Sequence, residues 1–128
     1  MNFIIGENIF DNLLNEAASN ARLRTNLDLR NSESDTSQRM LNALMPGTSV
    51  PVHRHLTTSE TVVLLKGRLA EVYFDDNGNE TERIELDANG ANRGAQIEAG
   101  RWHTIDVHEP SVIIQVTDSA SAPLAADE

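Results

Sequence analysis

One segment constrains this chain more than any other: Gly47-Thr-Ser-Val-Pro-Val-His53-Arg-His55-Leu-Thr-Thr-Ser-Glu60-Thr-Val-Val-Leu-Leu-Lys-Gly67. In a β-strand, residues i and i+2 project to one face, so a strand over residues 50–55 turns His53 and His55 together and Arg54 away. Thr57-Thr58-Ser59 reads as a connection. A second strand beginning at Glu60 then brings a carboxylate back towards the histidine pair. Two imidazoles and a carboxylate that converge in this way make most of a first-row transition-metal site.

A further histidine on another strand would complete the set. Of the four histidines, His108 stands in the loop-like Val107-His108-Glu109-Pro110, whereas His103 opens a strand-like run three residues after the turn glycine Gly100. The candidate metal ligands are therefore His53, His55, Glu60 and His103.

Residues 47–67 match the first cupin motif, Gly-x5-His-x-His-x4-Glu-x6-Gly, at every fixed position. The second cupin motif is matched in part: Gly100 and His103 fit, Glu98 stands in place of proline, Val107 in place of asparagine, and Gly94 is two positions closer than the motif asks. Arg22-Leu-Arg24-Thr-Asn26, Gln38-Arg39-Met40-Leu-Asn42, Leu65-Lys66-Gly67-Arg68 and Phe74-Asp75-Asp76-Asn77-Gly78 resemble the small bacterial WbuC-type cupin-fold metalloproteins, from about Asn8 to Val116. The resemblance implies an all-β jelly-roll barrel with an N-terminal helix and one divalent transition metal ion, either Fe, Mn, Ni or Zn. The association of that family with polysaccharide gene clusters implies carbohydrate chemistry.

With 128 residues and 14.1 kDa, the chain suffices for one core and not two. A single domain over residues 1–118 is expected, with a disordered acidic tail at 119–128. The net charge of −10, from 20 acidic and 10 basic residues, repels phosphate backbones and excludes a nucleic-acid partner. No apolar run approaches the roughly 20 residues that span a bilayer, so no membrane partner is expected. The opening Met1-Asn-Phe-Ile-Ile-Gly-Glu lacks a basic segment and a long apolar one, which predicts no signal peptide and a cytoplasmic location. Without cysteine there is neither a disulfide nor a thiolate ligand.

Along the chain, Ile9, Phe10, Leu13, Leu14, Ala17, Ala18 and Ala21 recur at helical spacing, predicting a helix over 8–21 with Asn8 as N-cap and Arg22 and Arg24 at its C-terminal end. Residues 25–37 alternate briefly and become a polar loop. From Gln38 the period is two, and the barrel is expected over 38–117: strands at 38–45, 50–55, 60–66, 68–75, 80–86, 95–98, 102–107 and 111–117, with Asn77-Gly78 at a tight hairpin.

Around the metal ligands stand further candidates. Arg22 and Arg24 reach over the barrel mouth in one reading and merely end a helix in the other. Gln38 and Asn42 share a face of the first barrel strand; they offer hydrogen bonds to a substrate if that face lines the cavity, and are solvated if not. Tyr73 shares a face with Glu71 and is a candidate general acid, packing being its plain alternative.

The expected function is a metal-dependent enzyme on a carbohydrate-derived or other small polar substrate, of isomerase or epimerase type. An Fe(II) dioxygenase and a non-catalytic ligand-binding module are the alternatives. Open sheet edges predict a homodimer.

Overall fold

Strand-forming residues alternate in two directions through most of this chain, and the fold gives each direction its own core. The computed structural model describes residues 3–118, so the tail expected to be disordered lies outside the described residues. One helix, α1 (Glu7–Ser19), precedes eight strands: β1 (Arg24–Asp28), β2 (Ser37–Leu44), β3 (Glu60–Lys66), β4 (Arg68–Phe74), β5 (Glu80–Asp87), β6 (Gly94–Ile97), β7 (Trp102–Val107) and β8 (Ser111–Asp118). A five-stranded sheet in the order β1-β2-β8-β3-β6 faces a three-stranded sheet in the order β5-β4-β7. All pairs are antiparallel. This is the expected all-β jelly roll with one N-terminal helix.

Leu44, Val62, Leu64, Leu69, Tyr73, Leu86, Ile97, Val107 and Ile113 fill the space between the sheets. On the outer face of the larger sheet, Leu41, Ala43 and Val112 meet Phe10, Leu13 and Ala17 of α1. The helix thus buries its apolar stripe on the back of the sheet rather than in the barrel. β2 contributes to both cores, Leu41 and Ala43 outwards and Leu44 inwards. That resolves its parity: Met40 and Asn42 share the inward face with Leu44.

Several element boundaries differ from the sequence reading. The helix starts at Glu7 behind Gly6, which supplies no side-chain cap, so Asn8 is not the N-cap. It ends at Ser19, and Asn20 is already extended. Ala21, Arg22 and Arg24 therefore lie beyond the last turn, which holds no basic residue. The brief alternation at the start of 25–37 is β1, registered on β2 from Arg24 opposite Leu44 to Asp28 opposite Met40, so the sheet begins before residue 38. Residues 50–55, expected to be a strand, form none; they carry a single bridge, between His53 and His103. Pro51 accounts for part of this, because it has no N–H to give a ladder.

At the last position of the 47–67 motif, Gly67 has φ of 91°, and a Cβ there would collide with the Pro110 carbonyl oxygen and the Ser111 side chain. The glycine makes room for the β3–β4 corner against the start of β8.

Candidate metal centre

His53, Glu60 and His103 come from three separate places in the chain and offer ligand atoms all within 4.8 Å of one another. The main chain brings the two histidines together. His53 N–H donates to the His103 carbonyl at 3.0 Å, and His103 N–H returns the bond to His53 at 2.9 Å. Gly100 N–H also donates to the His55 carbonyl at 2.6 Å, which stitches the 53–55 segment onto the approach to β7. The His53 and His103 ring centroids are 4.3 Å apart.

Both imidazoles are held in one orientation by the carbonyl two residues earlier. Nδ1 of His53 lies 2.9 Å from the Pro51 oxygen, and Nδ1 of His103 lies 2.8 Å from the Arg101 oxygen. A carbonyl can only accept, so each Nδ1 carries a proton, and in the neutral ring the lone pair then lies on Nε2. Nε2 of His103 is buried and has no hydrogen-bond partner among the described residues. Burial also pulls the His103 pKa below the ordinary histidine value and favours the neutral ring. A buried lone pair left unpartnered beside a second imidazole and a carboxylate is the donor set that a divalent transition metal fits.

Glu60 opens β3 and is buried. Burial on its own would raise its pKa, but hydrogen bonds from His55 and Gln115 outweigh this and hold the carboxyl below the ordinary glutamate value. Nε2 of His55 is 3.1 Å from Oε1 of Glu60, and Nε2 of Gln115 donates to Oε2 at 2.9 Å. His55 therefore joins the trio through Glu60. Asn42 in turn donates its amide to the Gln115 oxygen, so a hydrogen-bonded chain runs from β2 through β8 to the carboxylate.

Beside His53 opens a cavity of roughly 400 Å³. Arg22, Arg24, Asn42 and Gln115 line it, and Met40, Leu44, Val50, Pro51, Ile105 and Ile113 supply an aliphatic wall. Of the expected substrate-binding residues, Arg22, Arg24 and Asn42 are thus at the cavity. Gln38 is not; it sits at the far end of the strand, opposite Thr117.

Tyr73 faces His103 in the β4–β7 register and is buried. The Arg101 guanidinium lies over its ring at 4.4 Å, and burial, followed by the nearby Glu71, pushes its pKa up to about 12. Glu71 is 1% exposed, and its Oε1 has no hydrogen-bond partner among the described residues. Burial, reinforced by the charge of Glu60, raises its pKa to about 8. Arg54 stacks on Trp102 at 4.3 Å.

Gln115 and Glu71 carry roles that the ligand motif does not announce. The available signal was a single polar residue at an inward position of an otherwise apolar strand, in Val-Ile-Ile-Gln115-Val and Leu-Ala-Glu71-Val-Tyr.

The fold is a cupin-type double-stranded β-helix. Among solved structures, the chain is similar to the capsular polysaccharide assembling protein CapF from Staphylococcus aureus, with a TM-score of 0.63 and 17% identity over 78% of this chain and 34% of that one. It is also similar to oxalate oxidase in complex with the substrate analogue glycolate, with a TM-score of 0.65 and 17% identity over 85% of this chain and 57% of that one. An uncharacterized conserved protein with a double-stranded β-helix domain from Klebsiella pneumoniae aligns with a TM-score of 0.60 and 20% identity, covering 79% of this chain and 78% of that one. At these identities the likeness is one of fold, and the chain spans only a third to a little over half of CapF and oxalate oxidase. No curated protein matches the sequence. The family model described as a domain of unknown function, DUF6016, matches residues 5–86, and the chain belongs to that family. The matched span includes His53, His55 and Glu60 and ends before His103.

Proposed function

We propose that this chain binds one divalent transition metal ion through His53, His55, Glu60 and His103, and acts on a small polar substrate seated in the adjoining cavity. The observation that carries the reading is the trio within 4.8 Å, with the buried Nε2 of His103 left without a partner. A bound ion would supply Lewis acidity towards a substrate oxygen, and Fe, Mn, Ni and Zn all suit this donor set.

The chain's own residues supply the rest of the proposal. The Pro51 and Arg101 carbonyls hold the rings, and Gln115 holds Glu60. Arg22, Arg24 and Asn42 bind the substrate, and the aliphatic wall limits water. Tyr73, buried opposite His103, serves as a proton donor by its position; its pKa, raised to about 12, makes it a weaker acid than an ordinary tyrosine. The WbuC-type resemblance and the capsular-polysaccharide neighbour support a carbohydrate-derived substrate and an isomerase- or epimerase-type reaction. A cytoplasmic setting and a homodimer belong to the same proposal; the exposed Val63 and Val116 offer the dimer a partly apolar sheet face. No helix among the described residues is long and apolar enough to cross a membrane.

Elemental analysis of the purified protein beside a His53→Ala, His55→Ala variant tests the reading. One equivalent of metal in the wild type, lost in the variant, is expected. A wild type that takes up no metal after reconstitution overturns the centre.

A further inference from the structure

Most arginines of this chain are matched by an acid. Arg30, Arg39, Arg68, Arg83 and Arg101 each lie within 3.2 Å of a carboxylate oxygen. Arg22, Arg24 and Arg93 form no ion pair among the described residues, in a chain with 20 acidic residues against 10 basic ones, and Arg93 lies away from the cavity. Arg22 and Arg24 both line the cavity beside His53. Burial and the neighbouring positive charge of Arg22 both disfavour the charged form of Arg24. Two adjacent cations without a counter-charge, one of them half-buried, are an arrangement that an anion would relieve.

The backbone is shaped to hold them there. Leu23, between the two, has φ of 58°, a left-handed conformation that leucine avoids. Three hydrogen bonds maintain it: Leu23 N–H to the Asn20 carbonyl at 2.9 Å, Met45 N–H to the Leu23 carbonyl at 2.9 Å, and the Thr48 hydroxyl to the Arg22 carbonyl at 2.7 Å. Nη1 of Arg24 donates to the Ser49 carbonyl at 2.5 Å, which fixes the guanidinium at the cavity wall. Strain held in place between two cavity-lining residues is a separate observation from the missing counter-charge, and both point to the same spot.

The remaining lining narrows the ligand. Met40, Leu44, Ile105 and Ile113 offer no hydrogen bond; Gln115 is engaged by Asn42 and Glu60, so of the two amides only Asn42 keeps an oxygen for a ligand. A fully hydroxylated sugar would lay unmatched hydroxyls on that wall.

We propose that the cavity takes a small organic anion with an aliphatic body, a carboxylate or a phosphate monoester, whose charged group is bound by Arg22 and Arg24. The inference deepens the function proposed above and rests on it for the placement of the ligand's other end near His53. Charge recognition by the arginine pair is independent of that reading. Within carbohydrate-derived molecules it selects acidic or phosphorylated ones with a deoxygenated or otherwise apolar flank.

Calorimetric titration of the full chain with 4-methylpentanoate, isobutyl phosphate, inorganic phosphate and glucose tests this, on metal-stripped and reconstituted samples alike. One or both aliphatic anions are expected to bind saturably, at least tenfold more tightly than inorganic phosphate, with no saturable glucose binding. Which anion binds more tightly identifies the charged group. An Arg22→Gln, Arg24→Gln variant is expected to lose at least tenfold in affinity for the anion. Arg22→Gln alone, at an exposed side chain, gives a second reading should the double variant unfold. Anions binding both variants as tightly as the wild type, glucose binding as tightly as the anions, or no saturable binding of either anion would each overturn the proposal. Metal content on the same samples separates the two readings: anion binding without metal uptake sinks the centre and spares the subsite, and the reverse sinks the subsite alone.

Discussion

The two faces of the larger sheet carry the same strands to opposite ends. Its outer face meets α1 through Phe10, Leu13, Ala17, Leu41, Ala43 and Val112, a cluster of apolar side chains alone. Its inner face shares the barrel with Glu60, Glu71 and His103, all buried, two of them with unpartnered polar atoms. Close-packed apolar contact stabilises without further condition. Buried polar groups lacking partners cost stability unless something binds them. The helix-backed face thus supports the fold, and the barrel interior spends part of that stability on a site. Alternation along β2 lets one strand serve both, since Leu41 and Asn42 are neighbours in sequence and point to different cores.

The largest effect that would break this contrast is expected on the outer face. Leu41 is fully buried, so Leu41→Ala is expected to lower unfolding free energy by about 2–5 kcal/mol in urea titrations. Metal uptake by the fraction that stays folded should be unchanged. A loss of metal at retained fold would mean that the two faces are coupled.

Glu71 sharpens the comparison from inside. Its carboxyl keeps a proton to about pH 8 in the fold, against an ordinary value of 4.5. The native chain therefore binds that proton more tightly than the unfolded chain, and the associated stability is complete below about pH 4.5 and is lost as pH rises towards 8. In metal-free protein, Glu71→Gln is expected to remove a decline on the order of 2–4 kcal/mol between pH 5 and pH 8, measured as the difference between the urea titrations of wild type and variant. Parallel pH profiles for the two proteins would refute a protonated acid in the barrel.

A smaller effect is expected at Gln115. Gln115→Leu leaves Oε2 of Glu60 without its donor and frees the Asn42 amide. Metal affinity, read by competition with a chromogenic chelator, should fall by about 10–100-fold with the fold intact. An unchanged affinity would mean that Glu60 needs no support from β8.

Much of this arrangement is legible in the sequence because it depends on local patterns. Period-two alternation placed the strands at 60–66 and 102–107 at their observed limits, and the spacing of 47–67 singled out the residues that the fold brings together. Parity alone could not orient β2, because both of its faces are buried and only the presence of α1 distinguishes them. The brief alternation at the start of 25–37 was noted but not counted as a strand; the place of β1 in the sheet depends on pairing with β2, which no local pattern reports. Gln115 stands far along the chain from Glu60, so their hydrogen bond follows from tertiary placement. Pro51 shows the reverse case: its lack of an N–H was plain, and it argued against the regular strand that alternation suggested.

The order β1-β2-β8-β3-β6 has a consequence for how the molecule assembles. The last described strand lies at the middle of its sheet and pairs on one side with residues 37–44 and on the other with residues 60–66. Until β8 is available, β1-β2 and β3-β6 have no shared neighbour. Contacts this distant along the chain make for slow, late closure. During synthesis, His53, His55 and Glu60 would leave the ribosome well before the strand that unites the sheet and supplies Gln115. The nascent chain would thus expose three candidate ligands before it has a barrel in which to order them.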